Sequence, residues 1–77
     1  MSPMVGDTLR IKRVLVENMK KYRAKLGLTQ EQAAEKADMT LKYWQRLEMV
    51  SQSDLPSLQM VSKIAKALEI PIWKLLQ

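Results

Sequence analysis

Apolar residues recur every three or four positions in the first third of the chain, which is the spacing of one face of an α-helix. They fall at Ile11, Leu15, Met19, Tyr22 and Leu26. Asp7 or Thr8 can begin this helix, and Gly27 has the residue type that commonly ends one. The pattern therefore predicts one long first helix, preceded by a disordered arm over residues 1–6.

Two shorter helical patterns follow over residues 29–48, separated by a turn of about three residues. Thr29 and Gln32 have the spacing of a capping box, in which each side chain bonds to the backbone N–H of the other residue, and Thr40 can begin the second helix. The apolar positions are Ala33, Ala34, Ala37, Trp44 and Leu47. Two short helices joined by a tight turn are typical of the helix-turn-helix, whose second helix enters the DNA major groove.

The remaining sequence predicts two further helices after a loop over residues 49–56. The fourth helix begins near Ser57, with an apolar face made of Leu58, Val61, Ile64, Ala65 and Leu68. A short fifth helix follows Pro71, which suits a first helical turn. No strand signal is present, so we expect an all-α domain of five helices over residues 7–77, with an N-terminal extension of the first helix.

Composition narrows the possible functions. The 77 residues include no Cys and no His, which excludes disulfides, thiolate or imidazole metal ligands, and Ser-His or Cys-His catalysis. The carboxylates are scattered without the spacing of a metal or acid/base site, so we expect no enzyme activity, no metal and no cofactor. No apolar run reaches the roughly 18 residues of a membrane span, and we expect a cytoplasmic protein with no membrane partner and no evident small-molecule ligand.

The net charge of +5 is unevenly distributed. Residues 10–25 carry one acidic residue, Glu17, and seven basic ones: Arg10, Lys12, Arg13, Lys20, Lys21, Arg23 and Lys25. Such an imbalance attracts a polyanion such as nucleic acid. A solvated helix face with no partner explains the same run of charges equally well.

Residues 15–76 resemble the lambda repressor and Cro family, also called the xenobiotic-response-element type. The resemblance lies in the helix-turn-helix, in KYRAKLGLTQEQAAEKA and in LPSLQMVSKIAKALEIPIWKLL. It implies a bacterial or phage transcriptional regulator, acting as a repressor, which binds double-stranded DNA as a homodimer. Such dimers read a near-palindromic operator with half-sites about 34 Å apart. The chain departs from the family in having Asp38 where Gly is usual, Trp44 where an aliphatic residue is usual, and a longer, more apolar loop after Glu48.

The resemblance also implies roles for individual residues. The expected base contacts are Leu41, Lys42, Gln45 and Arg46, and the expected phosphate contacts are Thr29, Gln30, Lys20, Thr40 and Tyr43. Arg23 and Glu48 are expected to form a structural ion pair between the first helix and the recognition helix. The fifth helix has more apolar residues than one core face needs, and the surplus residues Ile72, Trp73 and Leu76 are candidates for the dimer interface.

A second hypothesis keeps the same fold but gives it a protein partner. Leu41, Tyr43, Met49 and Val50 make the surroundings of the recognition helix more apolar than a DNA-binding surface requires. On this hypothesis the chain is a protein–protein interaction module. Substitutions of these apolar residues, compared with charge reversal at Lys42 and Arg46, distinguish the two.

Overall fold

The computed structural model describes residues 3–77, with side chains from Gly6 onward, and its described part consists of helices and loops without strands. The five helices are α1 (Pro3–Lys25), α2 (Gln30–Lys36), α3 (Leu41–Leu47), α4 (Leu58–Ala67) and α5 (Ile72–Leu75). The all-α architecture of five helices is therefore confirmed. The loop between α3 and α4 is the longest connection in the described chain.

Helix α1 begins earlier than the hydrophobic pattern predicts. It starts at Pro3, a residue suited to the first turn because it has no N–H to leave unpaired. Residues 3–6, predicted as part of a disordered arm, lie in this helix, and residues 1 and 2 lie outside the described part. Asp7 and Thr8 lie within the helix instead of beginning it. In the described chain, neither this 23-residue helix nor any other is long and apolar enough to cross a membrane.

The buried face of α1 is rotated from the predicted one. Leu15 and Met19 are buried as expected, but Ile11 and Leu26 remain 47% and 38% exposed. The buried set is Lys12, Leu15, Val16 and Met19. Lys12 displaces Ile11 from the interior because its aliphatic stem is apolar and its amine finds hydrogen-bond acceptors there.

The core lies between α1, the α2–α3 pair and α4, with α5 closing one end. Its buried residues are Leu15, Met19, Ala33, Ala34, Ala37, Trp44, Leu47, Val61, Ile64, Ala65, Ala67, Leu68 and Leu75. The alanines of α2 let α3 approach closely. Leu58, expected on the core face of α4, is 83% exposed because it occupies the first residue of that helix, beyond the reach of the core. Asn18 of α1 fastens α5 by donating to the Leu75 carbonyl oxygen over 2.8 Å.

Three helices end in the same way, with a residue of positive φ. These residues are Gly27 at 67°, Asp38 at 56° and Glu69 at 60°. In each case the amide of that residue and the amide after it bond back to carbonyl oxygens of the preceding helix, which is the Schellman arrangement. A sequence signal for this conformation was present at Asp38, which stands where Gly is usual in the family that the chain resembles, but none was present at Glu69.

Candidate nucleic-acid interface

Helix α3 presents one face to the core and the other to solvent. Thr40 caps its start by accepting a hydrogen bond from the Tyr43 amide over 3.1 Å. Trp44 and Leu47 point inward and are fully buried. The four residues expected to contact bases, Leu41, Lys42, Gln45 and Arg46, are all exposed. Their spacing puts them on one side of the helix, so a short rod with two cations faces outward.

The carboxylate of Glu48, at the C-terminus of α3, is the centre of a buried polar network. Arg23 donates to it twice, from Nε over 2.9 Å and from Nη2 over 3.1 Å. The indole Nε1 of Trp44 donates over 2.6 Å, and Nε2 of Gln30 donates over 3.0 Å. The expected ion pair of Arg23 with Glu48 is therefore present, and it holds α1, α2 and α3 together. The bonds from Trp44 and Gln30 were not foreseen.

This network orients Gln30, one of the residues expected to contact phosphate. Because its Nε2 already donates to Glu48, only one of its two amide hydrogens remains for another acceptor. Its Oε1 accepts from Nε2 of Gln45 over 3.4 Å. The start of α2 is thus joined to the outer face of α3, and Gln30 and Gln45 form one polar surface.

The other residues expected to contact phosphate differ in how far they are exposed to solvent. Thr29 and Gln32 form the predicted capping box, with bonds of 3.0 Å and 2.9 Å, and Thr29 stays exposed. Lys20 is exposed on α1. Tyr43 is half-buried and packs against the core, which leaves only part of its side chain accessible.

Lys12 departs from its expected role as a surface charge for a polyanion. Its side chain is buried, and its Nζ donates to the carbonyl oxygens of Arg46 over 3.2 Å and of Asp54 over 2.8 Å. Burial lowers the pKa of Lys12 from its ordinary value, Asp54 opposes that shift, and Arg46 adds to it. The amine therefore joins the end of α3 to the following loop, where its positive charge also suits a helix C-terminus.

The side chains of Arg46 and Asp54 contact each other on the surface, above the buried amine of Lys12. Nη2 of Arg46 donates to Oδ2 of Asp54 over 2.7 Å. Sequence reasoning missed both Lys12 and Asp54 as parts of the interface. A signal for Lys12 was present, because positions 12, 15, 16 and 19 have helical spacing. For Asp54 the signal was weak: it is the only acidic residue of the loop.

The remaining basic residues of α1 stay on the surface. Arg10, Arg13, Lys20, Lys21 and Lys25 are exposed. The amines of Lys21 and Lys25 lie 5.2 Å and 5.4 Å from the centre of the Tyr22 ring, a cation–π distance. The basic cluster predicted from the sequence is therefore divided, since Lys12 and Arg23 serve the fold.

Two apolar surfaces are open to solvent. In the first, Ile72, Trp73 and Leu76 are 44%, 60% and 47% exposed, as expected of surplus apolar residues. Leu76 also lines an apolar groove, whose other walls are Ile11, Leu55, Pro56 and Leu58 over a floor of Leu15 and Val61. In the second, Leu41, Met49 and Val50 are exposed near α3, while Tyr43 is half-buried against the core.

Comparison with known proteins agrees with this geometry. A family model described as helix-turn-helix matches residues 19–72, which include α2, α3, α4 and every residue of the Glu48 network. The match leaves out the first two-thirds of α1. No curated protein matches the chain.

Proposed function

Since the helix-turn-helix match covers most of its length, the chain belongs to the lambda repressor/Cro-like family, and we propose that it is a sequence-specific repressor of transcription. It acts in the cytoplasm of a bacterium or in phage infection, and it blocks its promoter by occupying it. The observation that carries this proposal is the outward face of α3, where Lys42 and Arg46 stand free of the core that holds Trp44 and Leu47.

Recognition follows from the chemistry of these side chains. Lys42 and Arg46 donate to guanine O6 and N7, Gln45 suits adenine N6 and N7, and Leu41 meets a thymine methyl group. The Glu48 network supports this face from behind, because it fixes the angle of α3 against α1 and α2. A well-made bidentate contact discriminates against the wrong base by about 1–3 kcal/mol.

Phosphate contacts complete the interface. Thr29 and Gln30 at the start of α2, Thr40 and Tyr43 at the start of α3, and Lys20 on α1 are the proposed contacts. Such contacts position the protein without reading sequence, and the counterions that they release make binding weaken as salt rises.

The proposed active form is a homodimer on a near-palindromic operator. One domain meets one half-site, and two-fold pairing doubles the contacts at a spacing of about 34 Å. The proposed interface contains Ile72, Trp73 and Leu76, three exposed apolar residues of the fifth helix and its end, and Leu76 also lines the apolar groove. Leu76→Lys should shift the chain to a monomer in sedimentation. The control Leu26→Lys changes an apolar residue just after the end of α1 and should not.

The test of DNA reading is selection from random duplexes followed by binding to the enriched sequence. Lys42→Glu should abolish specific binding, whereas Lys66→Glu makes the same charge change on α4 and should weaken binding only slightly. Absence of any enriched motif, or equal losses in the two variants, would contradict the proposal.

The second candidate function is a protein-interaction module. It is favoured by the exposure of Leu41, Met49 and Val50 beside α3. Leu41→Ser combined with Met49→Ser should then abolish a protein complex while Lys42→Glu leaves it intact. The half-burial of Tyr43 weakens this candidate, because it removes part of the apolar area that such a partner would cover.

A further inference from the structure

Arg46 does not extend freely into solvent, although it lies on the outer face of α3. Its Nη2 is 2.7 Å from Oδ2 of Asp54, and the two side chains are 48% and 35% exposed. This is the one hydrogen bond that the guanidinium makes to the described residues. Guanidinium carries five N–H donors, so Nε, Nη1 and the second hydrogen of Nη2 still offer a two-donor edge.

The position of Asp54 is set by a buried group. Lys12 donates to the backbone carbonyl oxygens of both Asp54 and Arg46, and the residue is only 1% exposed. The two main-chain segments that carry the ion pair are therefore fastened together underneath it. An ordinary surface ion pair contributes little, partly because two long side chains must be ordered. Here the buried amine of Lys12 already fixes the main chain at both residues of the pair, so less freedom is lost when their side chains meet.

A fixed guanidinium reads a base better than a mobile one. Free Arg loses rotamer freedom when it binds, and a side chain already held in place loses less. The neighbouring carboxylate also offsets the positive charge of Arg46, which weakens its attraction for any phosphate. What remains favoured is the bidentate contact to guanine O6 and N7, which depends on geometry more than on charge.

We propose that Asp54 is a positioning residue for Arg46, which holds the guanidinium so that its free edge meets a guanine in the major groove. The inference rests on the proposed function and deepens it. It makes the loop between α3 and α4 a determinant of specificity through a residue that itself contacts no base. Lys12, on the extended part of α1, supports the same arrangement from below.

The experiment begins with the duplex selected by the unaltered chain. Arg46→Ala identifies the guanine in question, as the base pair at which discrimination is lost. At that base pair the unaltered chain should discriminate by roughly 10- to 100-fold. Asp54→Ala should weaken binding to the selected duplex by about 2- to 12-fold and lower that discrimination by the same factor, while discrimination at the other base pairs persists.

Controls separate positioning from charge and from folding. In the Arg46→Ala background, Asp54→Ala should have no further effect on discrimination. Asp54→Asn keeps an oxygen acceptor beside the guanidinium and should retain part of it. Glu69→Gln removes one negative charge from another surface ion pair, with Lys36 at 3.4 Å, and should leave discrimination unchanged. A general loss of folded protein would weaken binding to all duplexes alike.

Two results overturn this proposal while leaving DNA reading intact. If Asp54→Ala binds the selected duplex more tightly with discrimination unchanged, Asp54 competes with DNA for Arg46. If neither quantity changes, the ion pair is passive. A selection that enriches no motif overturns this proposal together with the proposed function.

Discussion

Glu48 shows how one buried carboxylate organises the helix-turn-helix. Its residue is 3% exposed, and it accepts hydrogen bonds from Arg23 of α1, Gln30 of α2 and Trp44 of α3 itself. Burying a charge is costly unless it is paired and hydrogen-bonded. The indole of Trp44 serves both needs, since it fills the core beside α3 and donates to the carboxylate.

Trp44→Phe isolates that donated bond. Phenylalanine keeps most of the apolar volume but has no N–H, so the carboxylate loses a hydrogen bond of the charged type, worth about 1.5–3 kcal/mol. We expect the free energy of unfolding, measured by urea denaturation, to fall by about that amount. Measured at a concentration low enough to keep the chain monomeric, Trp73→Phe changes an exposed indole and should stay within about 0.5 kcal/mol. Equal effects of the two substitutions would show that the bond to Glu48 contributes nothing.

Lys12 should give stability a dependence on pH. Burial lowers its pKa in the folded chain, so the folded state releases this proton at a lower pH than the unfolded state does. Between the lowered pKa and the ordinary value of 10.5, the unfolded state binds more protons, and stability rises with pH.

The measurement is the difference in unfolding free energy between the unaltered chain and Lys12→Met. Taking the difference cancels the titration of all other groups. As the pH is raised from 7 toward 10.5, the difference in unfolding free energy should move in favour of the unaltered chain. A constant difference, or one that moves toward the variant, would mean that burial does not weaken protonation of Lys12.

At the scale of elements, the ends of the helices contain measurable strain. A left-handed residue costs an L-amino acid roughly 1–2 kcal/mol that Gly does not incur. Asp38→Gly and Glu69→Gly should therefore each raise the unfolding free energy, by about 0.5–1 kcal/mol after the greater freedom of Gly in the unfolded chain is counted. Gly27→Ala is the opposite change at the matching position and should lower it. Melting curves of the three variants test the prediction, which fails if Asp38→Gly or Glu69→Gly destabilises.

The elements that sequence predicts well are those defined by neighbouring residues. Thr29 with Gln32, and Thr40 with the Tyr43 amide, form their caps within three positions along the chain. The positions of the helices and the buried side of α3 could be predicted for the same reason. The helix-turn-helix and its outward face therefore follow from the order of the amino acids alone.

What sequence did not predict depends on distant partners. Lys12 is buried because it finds carbonyl oxygens 34 and 42 positions away. Those contacts rotate α1, expose Ile11, and bring Asp54 against Arg46. Leu58 shows the converse case: its spacing fits the apolar face of α4, but no element of the described chain covers the first turn of that helix. Hydrophobic periodicity therefore predicts the buried face of a helix only along the part of the helix that other elements contact.

On the scale of the whole molecule, one proposed surface binds DNA and the other forms the dimer. The outward face of α3, with the start of α2, presents donors and cations. Ile72, Trp73, Leu76 and the groove beside them present apolar area. The Glu48 network fixes the first surface on α1, and Asn18 fastens α5 to the same helix. Helix α1 therefore sets the relation between the proposed DNA-reading face and the proposed dimer interface.

The most direct test of the central claim is a nuclear magnetic resonance titration of the ¹⁵N-labelled chain with its selected duplex. If α3 enters the major groove, the largest amide shifts should fall on residues 29–30 and 40–46, with the side-chain N–H groups of Gln45 and Arg46 shifting as well. These shifts should diminish as salt is added, because phosphate contacts release counterions. Shifts concentrated instead on Tyr22, Trp73 and the groove, with α3 unaffected, would contradict the account.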